Sequence, residues 1–187
     1  MKKYIVILFL LLASSVLARN QHLLFETLSI RDGLSFPIVH CMVQDTCGYL
    51  WFGTEDGLNR FDGYAFRIYR RNAENPEGSL SNSLIKCMLL DRSGRLWCGT
   101  GRGLNCYNAA SDTFHVPEAG NDSMRVLANS IIRALHEDDS GNLFVGTQSG
   151  LYRYDPRQKN LYRYQLPNGE HGDRNIIVNI CPGADGR

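Results

Sequence analysis

Three basic side chains recur at one position of a repeating pattern and are the residues best suited to bind a ligand. His40, Lys86 and Arg133 are separated by 46 and 47 residues, and each lies in a short apolar segment typical of a strand. If these segments lie side by side, the three side chains form a cationic rim suited to a carboxylate or an anionic sugar. The alternative is a row of solvated strand residues with no ligand, because exposed charge is the normal case. A fourth segment has Val178 at this position and ends the series.

Two tryptophans repeat in the same way. Trp51 and Trp97 occupy one position of the pattern, and Phe144 takes it in the third copy. Such a ring could stack on a sugar. Each ring follows directly after a leucine or lies in a strand-like run, however, and an aromatic side chain buries about 150–250 Å². We therefore interpret these rings as packing residues between neighbouring sheets.

The sequence offers no constellation for catalysis or for a metal. No nucleophile–histidine pair, carboxylate pair or HExxH motif stands out, and His and Cys do not cluster at zinc-ligand spacing. The glycine-rich segment 99–103 has the composition of a phosphate loop, but it lies between two short strands rather than before a helix. We interpret it as a turn, and we expect no enzyme activity and no cofactor from these residues.

Six cysteines are present, an even number that would suit disulfides in an exported protein. No CxxC occurs, and Cys41 and Cys87 share a repeat position that holds Ala134 in the third copy. Because small apolar residues replace them, we predict free and mostly buried thiols. The six are Cys41, Cys47, Cys87, Cys98, Cys106 and Cys181.

These side chains are held by three copies of one repeat. The copies begin at Asp45, Asp91 and Asp138 and follow the pattern D-x-x-G-x-L-W-x-G-T-x-x-G-L-x-x-F/Y. Asp opens a first turn that Gly closes three residues later, and Gly-Thr-x-x-Gly forms a second turn. In the first copy we predict strands at Ile38–Gln44, Tyr49–Thr54, Leu58–Phe61 and Ala65–Tyr69. The structural positions are Asp45, Gly48, Trp51, Gly53, Thr54, Gly57, Asp91, Gly94, Trp97, Gly99, Thr100, Gly103, Asp138, Gly141, Phe144, Gly146, Thr147 and Gly150.

Four short strands in every repeat of about 46 residues predict an all-β fold of four-stranded antiparallel β-propeller blades. The first strands are largely apolar on both faces, as stacked sheets require. We divide the chain into 1–18 (signal peptide), 19–37 (lead-in), 38–82 (blade 1), 83–129 (blade 2), 130–175 (blade 3) and 176–187 (start of blade 4). Polar, turn-rich linkers are predicted at Arg70–Ser83, Glu118–Ser130 and Leu166–Asn175.

The predicted ring is incomplete. A propeller has about 4–8 blades, whereas this sequence holds three and the opening strand of a fourth, with Gly186 as its anchor. We therefore expect the missing blades in a longer chain, since an open blade exposes strand edges. Phe25–Leu28 precedes the first blade, and we predict that it supplies a ring-closing strand to the last one.

The N-terminus has the pattern of a secretory signal. Two lysines after Met1 precede the apolar run Ile5–Leu12, and Val16-Leu17-Ala18 has small residues where signal peptidase cleaves. Cleavage after Ala18 predicts an exported protein. The alternative is an uncleaved anchor, although the apolar stretch is short for a span of about 20 residues. With 20 Lys and Arg against 19 Asp and Glu and no basic run, nucleic-acid binding is not expected.

The repeat resembles the two-component regulator propeller repeat. The match runs over Asp45–Phe61, Asp91–Tyr107 and Asp138–Tyr154, and Arg31–Ser35 is similar to the start of such sensor regions. The resemblance implies a membrane-spanning hybrid sensor whose periplasmic propellers bind a ligand, in many cases a polysaccharide breakdown product. It also implies signalling to a histidine kinase, often with receiver and DNA-binding domains in the same chain. The printed sequence holds no phosphoacceptor helix or ATP-binding glycine boxes.

From this resemblance we expect a non-catalytic, ligand-sensing propeller segment of a two-component receptor. Its expected partners are a small molecule or oligosaccharide and the missing blades, with membrane contact only through the full-length protein and a homodimer by analogy with the family. One alternative is an exported propeller enzyme acting on glycans, with its catalytic side chains in other blades. Another is a structural or protein-binding propeller.

Overall fold

The computed structural model describes residues 25–118, 124–164 and 175–183. In these residues the strands form three four-stranded sheets, and in each sheet consecutive strands pair antiparallel. The predicted all-β fold of propeller blades is confirmed. The predicted signal peptide at 1–18 and the anchor Gly186 lie outside the described residues.

The strands follow the repeat pattern closely. Blade 1 contains β1 (Val39–Gln44), β2 (Leu50–Thr54), β3 (Gly57–Phe61) and β4 (Phe66–Tyr69). Blade 2 contains β5 (Ile85–Leu90), β6 (Leu96–Thr100), β7 (Gly103–Asn108) and β8 (Thr113–His115). Blade 3 contains β9 (Ile132–Glu137), β10 (Leu143–Thr147), β11 (Gly150–Asp155) and β12 (Asn160–Tyr164).

Two short helical segments lie outside the blades. A 3-10 turn at Ile30–Asp32 precedes blade 1 and is capped by Ser29, whose hydroxyl accepts the Arg31 N–H. A five-residue helix, α1 (Met124–Ala128), lies in the stretch predicted to be a turn-rich linker. Its buried Met124 and Leu127 pack into the core beside β7, and this packing stabilises a helix too short to form alone.

The aspartate at the start of each repeat organises its turn. Asp45 Oδ1 accepts the N–H groups of Cys47 and Tyr49 at 2.9 and 3.0 Å, while Oδ2 accepts the indole Nε1 of Trp51 at 2.7 Å. Asp91 repeats this arrangement in blade 2, with Trp97 Nε1 at 2.8 Å. The aspartate therefore fixes both the turn and the tryptophan that follows it, a role beyond the predicted turn.

Blade 3 has no indole at this position, and another donor replaces it. Phe144 stands in the tryptophan column, and Asn142 Nδ2 donates to Asp138 Oδ2 at 2.8 Å. The carboxylate thus keeps a partner for both of its oxygens, as a partly buried charge requires.

The cores of the protein lie between blades rather than within them. We call the contact of blades 1 and 2 the first seam and that of blades 2 and 3 the second seam. Trp51 is fully buried in the first seam and Trp97 nearly so in the second, so both rings pack between blades. The first seam contains Trp51, Leu58, Leu80, Ile85, Leu96, Cys98 and Phe114. The second contains Trp97, Leu104, Cys106, Met124, Leu127, Ile132, Leu143, Val145, Tyr152, Tyr154 and Leu161.

Each blade also closes on the next through an isoleucine seated on a glycine. A Cβ atom placed on Gly53 would come within 2.7 Å of Ile85 Cγ2, and one on Gly146 within 2.6 Å of Ile177 Cγ2. The Ile177 N–H also donates to Thr147 O at 2.9 Å. Ile177 thus occupies on blade 3 the place that Ile85 occupies on blade 1.

Two apolar faces carry no sheet in the part of the chain that is described. On blade 1, Met42 is 63% exposed and shares its face with half-buried Phe52. On blade 3, Phe144 is half-buried and Tyr162 is exposed. Phe25–Leu28 pairs with no strand among the described residues, and Phe25 is 89% exposed; its pairing with a last blade stays a prediction.

The six cysteines are free in the structure. Cys98 and Cys106 are buried and Cys41 and Cys87 half-buried, and burial raises the pKa of Cys41 to about 12 and that of Cys106 to about 11. Cys47 and Cys181 are exposed; both are thus open to solvent reagents. No helix among the described residues is both long and apolar enough to cross a membrane.

Candidate functional site

The three basic residues singled out from the sequence each lie at a β-bulge. In blade 1, Val39 pairs with Thr54 and Cys41 with Gly53, so that His40 is the extra residue between two pairs. The pairing skips Lys86 in blade 2 and Arg133 in blade 3 in the same way. Bulges re-aim a side chain and are frequent beside functional sites.

The structure brings two of these side chains together. Lys86 Nζ lies 3.4 Å from His40 Nε2, and the first strands of neighbouring blades, β1 with β5 and β5 with β9, adjoin. Arg133 holds the same position one blade further on. No contact between its guanidinium and Lys86 is seen among the described residues, so the arrangement is a pair followed by a third basic group. We call His40, Lys86 and Arg133 the basic rim.

Arg133 has unused hydrogen-bonding capacity. Its Nε is buried from solvent and has no hydrogen-bond partner in the described residues. A buried donor without a partner carries a desolvation cost of about 1–3 kcal/mol.

The rim also contains an acid that the sequence pattern did not bring out. Glu55 Oε1 lies 3.4 Å from His40 Nε2, and its side chain is 44% exposed. The equivalent residues in the other copies are Gly101 and Gln148, so the acid belongs to blade 1 only. The rim is therefore basic at blades 2 and 3 and mixed at blade 1.

The chemistry open to this arrangement is binding. Lysine and arginine supply hydrogen-bond donors and positive charge for a carboxylate, sulfate or sugar oxygen. Among the residues that the structure describes, no group of three His, Cys, Asp or Glu side chains is placed to hold a metal ion.

Comparison with known proteins shows which family model the repeat matches. The family model described as two component regulator propeller matches residues 33–56 and 79–102. A relative, Histidine kinase P4 of Formosa agariphila, is 50% identical over 78 residues, which make up 42% of this chain and 6% of that protein. This chain therefore matches only a small part of that relative's length.

Solved structures agree with the sequence match. The extracellular domain of a hybrid two-component system from B. thetaiotaomicron has a TM-score of 0.69 and 26% identity over 80% of this chain and 21% of that chain. The extracellular domain of a one-component system from the same organism has a TM-score of 0.65 and 25% identity over 87% and 21%. Two segments of this chain match the two component regulator propeller model, and its fold is similar to part of the extracellular domains of two-component systems.

Proposed function

We propose that this chain is the ligand-sensing propeller segment of an exported two-component receptor and that it works by binding, without chemistry of its own. The observation that carries the proposal is the row of bulge residues His40, Lys86 and Arg133 on adjoining first strands. It occurs in a chain whose repeats and fold are those of such receptors.

The ligand that suits the rim is an acidic oligosaccharide. A carboxylate or sulfate would pair with Lys86 and with the guanidinium of Arg133, and sugar hydroxyls would pair with His40 and Glu55. Charge-assisted hydrogen bonds of this kind are roughly twice as strong as neutral ones. Glu55 would oppose a negative group of the ligand at blade 1.

Signalling would follow from a difference in affinity. A ligand shifts an equilibrium only as far as it binds one state better than the other. Because the rim residues belong to three different blades, a ligand spanning them would favour one mutual arrangement of those blades. We place the kinase that reads this change outside the printed sequence.

The two open apolar faces lead us to propose further blades as partners of this chain. The exposed apolar surface at Met42 on blade 1 and at Tyr162 on blade 3 matches the faces that are buried at the two seams. We propose that additional blades cover both faces in the complete protein. A homodimer is a separate proposal, and no described surface is assigned to it.

Binding of an acidic oligosaccharide panel to the full chain tests the rim. We expect oligogalacturonate, alginate or hyaluronan fragments to give heat in isothermal titration calorimetry, and maltooligosaccharides of equal length to give none. Lys86→Gln and Arg133→Gln should each weaken the best binder by about tenfold, the effect of one charged hydrogen bond. Arg157→Gln, an exposed arginine in an outer hairpin, is the matched control.

Two results would reject this function. One is the absence of binding by every acidic fragment in the panel. The other is binding that the two rim variants and the Arg157 control all leave at the wild-type affinity, which would locate the ligand elsewhere.

A further inference from the structure

The first seam is closed at its outer side by a charged clamp. The Arg60 guanidinium lies 4.8 Å from the centre of the Tyr49 ring and donates from Nη1 to Tyr107 Oη at 3.0 Å. Asp112 of blade 2 accepts hydrogen bonds from Tyr69 Oη at 2.7 Å and Tyr107 Oη at 2.6 Å. The arginine thus fills the space between the two blades, and the carboxylate of Asp112 neutralises its charge.

The second seam has other residues at both positions of this clamp, although the Arg95 guanidinium lies 5.3 Å from the centre of the Trp97 ring. Cys106 stands at the repeat position that Arg60 holds in blade 1. Across their hairpins, Cys106 pairs with His115 and Arg60 pairs with Arg67. Lys159 stands where Asp112 stands one blade earlier, and both residues have the same left-handed φ of 54°. A short side chain thus replaces the arginine, and a cation replaces the anion.

This exchange leaves a groove in the second seam. It has a volume of about 730 Å³ and runs between the outer strands of blades 2 and 3. Its floor includes Trp97 and Tyr154, whose ring centres are 6.0 Å apart in an edge-to-face arrangement. Cys106 and Pro117 also line it. The volume is within the range of about 300–1,000 Å³ that is typical of small-molecule sites.

Among the described residues that line the groove, the charged side chains are mostly basic. Arg95, His115 and Lys159 are basic, and Glu118 is the acidic one. Arg95 uses Nε to donate to Asp91 Oδ2 at 2.6 Å, while its side chain is 41% exposed. Among the described residues no hydrogen bond is made by its terminal nitrogens, which leaves them for a ligand.

Glu118 would compete weakly with a ligand anion for Lys159. Its Oε2 accepts from Lys159 Nζ at 2.7 Å, but the two side chains are 78% and 60% exposed. An ion pair this exposed contributes little to stability. A ligand anion held deeper in the groove would exchange readily with it.

We propose that the groove of the second seam binds a small organic anion, whose carboxylate or sulfate takes the part that Asp112 plays in the first seam. The ligand is expected to contain a ring, which would lie against the apolar floor beside Tyr154. Its anionic group would pair with Arg95 and Lys159. This site is separate from the basic rim and does not depend on the proposed function.

Calorimetry on the full chain with defined probes tests the proposal. D-glucuronate and benzoate are the anionic probes, and D-glucose and benzyl alcohol are their neutral counterparts. We expect the groove to bind at least one anionic probe and not its neutral counterpart. Glu118→Gln should strengthen this binding, because it removes the competing carboxylate.

Two substitutions copied from the first seam should weaken or abolish binding at the groove. Cys106→Arg fills the groove with the arginine of blade 1, and Lys159→Asp introduces the carboxylate at a backbone conformation that Asp112 already adopts. Lys159→Asp should weaken the probe by about tenfold or more, the effect of losing a charged hydrogen bond and gaining repulsion. Because residue 159 is exposed, this variant keeps the proposal testable if Cys106→Arg does not fold.

Arg31 is exposed and lies outside both the groove and the basic rim, so Arg31→Gln is the control and should bind the probe as the wild type does. Equal binding of the anionic and neutral probes, or of the wild type and Lys159→Asp, would overturn the proposal. So would the absence of binding by both anionic probes.

Discussion

Ile132 of blade 3 lies directly on Gly99 of blade 2. A Cβ atom added to Gly99 would come within 2.7 Å of Ile132 Cγ2 and would also meet the Cys87 sulfur. Both neighbours belong to first strands, one in the same blade and one in the next. The backbone of Gly99 is extended, a conformation that any residue can adopt. Glycine is therefore needed here for the close approach of the two blades and not for its backbone conformation.

Gly99→Ala should destabilise the protein by about 1–3 kcal/mol, the usual cost of overpacking a well-packed core. Urea unfolding followed by tryptophan fluorescence measures it. Gly101→Ala is the control, because its new Cβ would meet mainly the flexible end of Asn82 and the side chain of Leu84. Equal effects of the two variants would contradict the blade-contact explanation.

Trp51→Ala should cost about 3–5 kcal/mol, as expected for removing a fully buried aromatic side chain. The loss comes from the cavity in the first seam and from leaving Asp45 Oδ2 without its indole donor. Trp51→Phe should cost less because it keeps most of the packing. Chemical denaturation of both variants checks this order, and a wild-type stability for Trp51→Ala would exclude a core role.

Asp112 should make the first seam sensitive to acid. Burial raises the pKa of its carboxyl, but hydrogen bonds from Tyr107 and Tyr69 and the charges of Arg67 and Arg60 lower it more, so that the folded-state pKa is below the usual value. The stabilisation is then present above the unfolded-state pKa of about 4 and is lost as the pH falls through the folded-state value.

Asp112→Asn should therefore lower the free energy of unfolding by about 1–3 kcal/mol at pH 7, with a smaller difference from the wild type below about pH 4. Urea titrations of the two proteins over this pH range measure it. Glu118→Gln, which removes an exposed ion pair, is the control and should be nearly neutral. A difference for Asp112→Asn that stays constant with pH would contradict the charge-based explanation.

The reactivity of the cysteines toward a thiol reagent should depend on their burial. Cys47 and Cys181 are exposed and should react in the native protein. Cys98 should react only after unfolding, since burial raises its pKa well above the usual value and blocks access. Counting thiols with a disulfide reagent before and after denaturation checks this, and Cys47→Ser with Cys181→Ser should remove the fast class.

Local chemistry explains why the strands were predictable. The Asp and Gly residues of each repeat make their turns with groups a few residues away, such as Asp45 with the N–H of Tyr49. The predicted strand limits of blade 1 consequently agree with the structure to within one residue. The sequence pattern does not predict helix α1, because its stability comes from burying Met124 and Leu127 in the core of the second seam and not from its own short segment.

The sequence by itself determined the repeat, the blade fold and the column that holds His40, Lys86 and Arg133, because these follow from residue types at a regular spacing. Only the tertiary structure decided that each of these residues is a bulge, since a bulge depends on the register of two strands. It also decided that Glu55 joins the rim and that Arg60 meets Asp112 across the first seam. Such contacts join residues far apart in the chain or on different strands, and packing of one blade on the next brings them together.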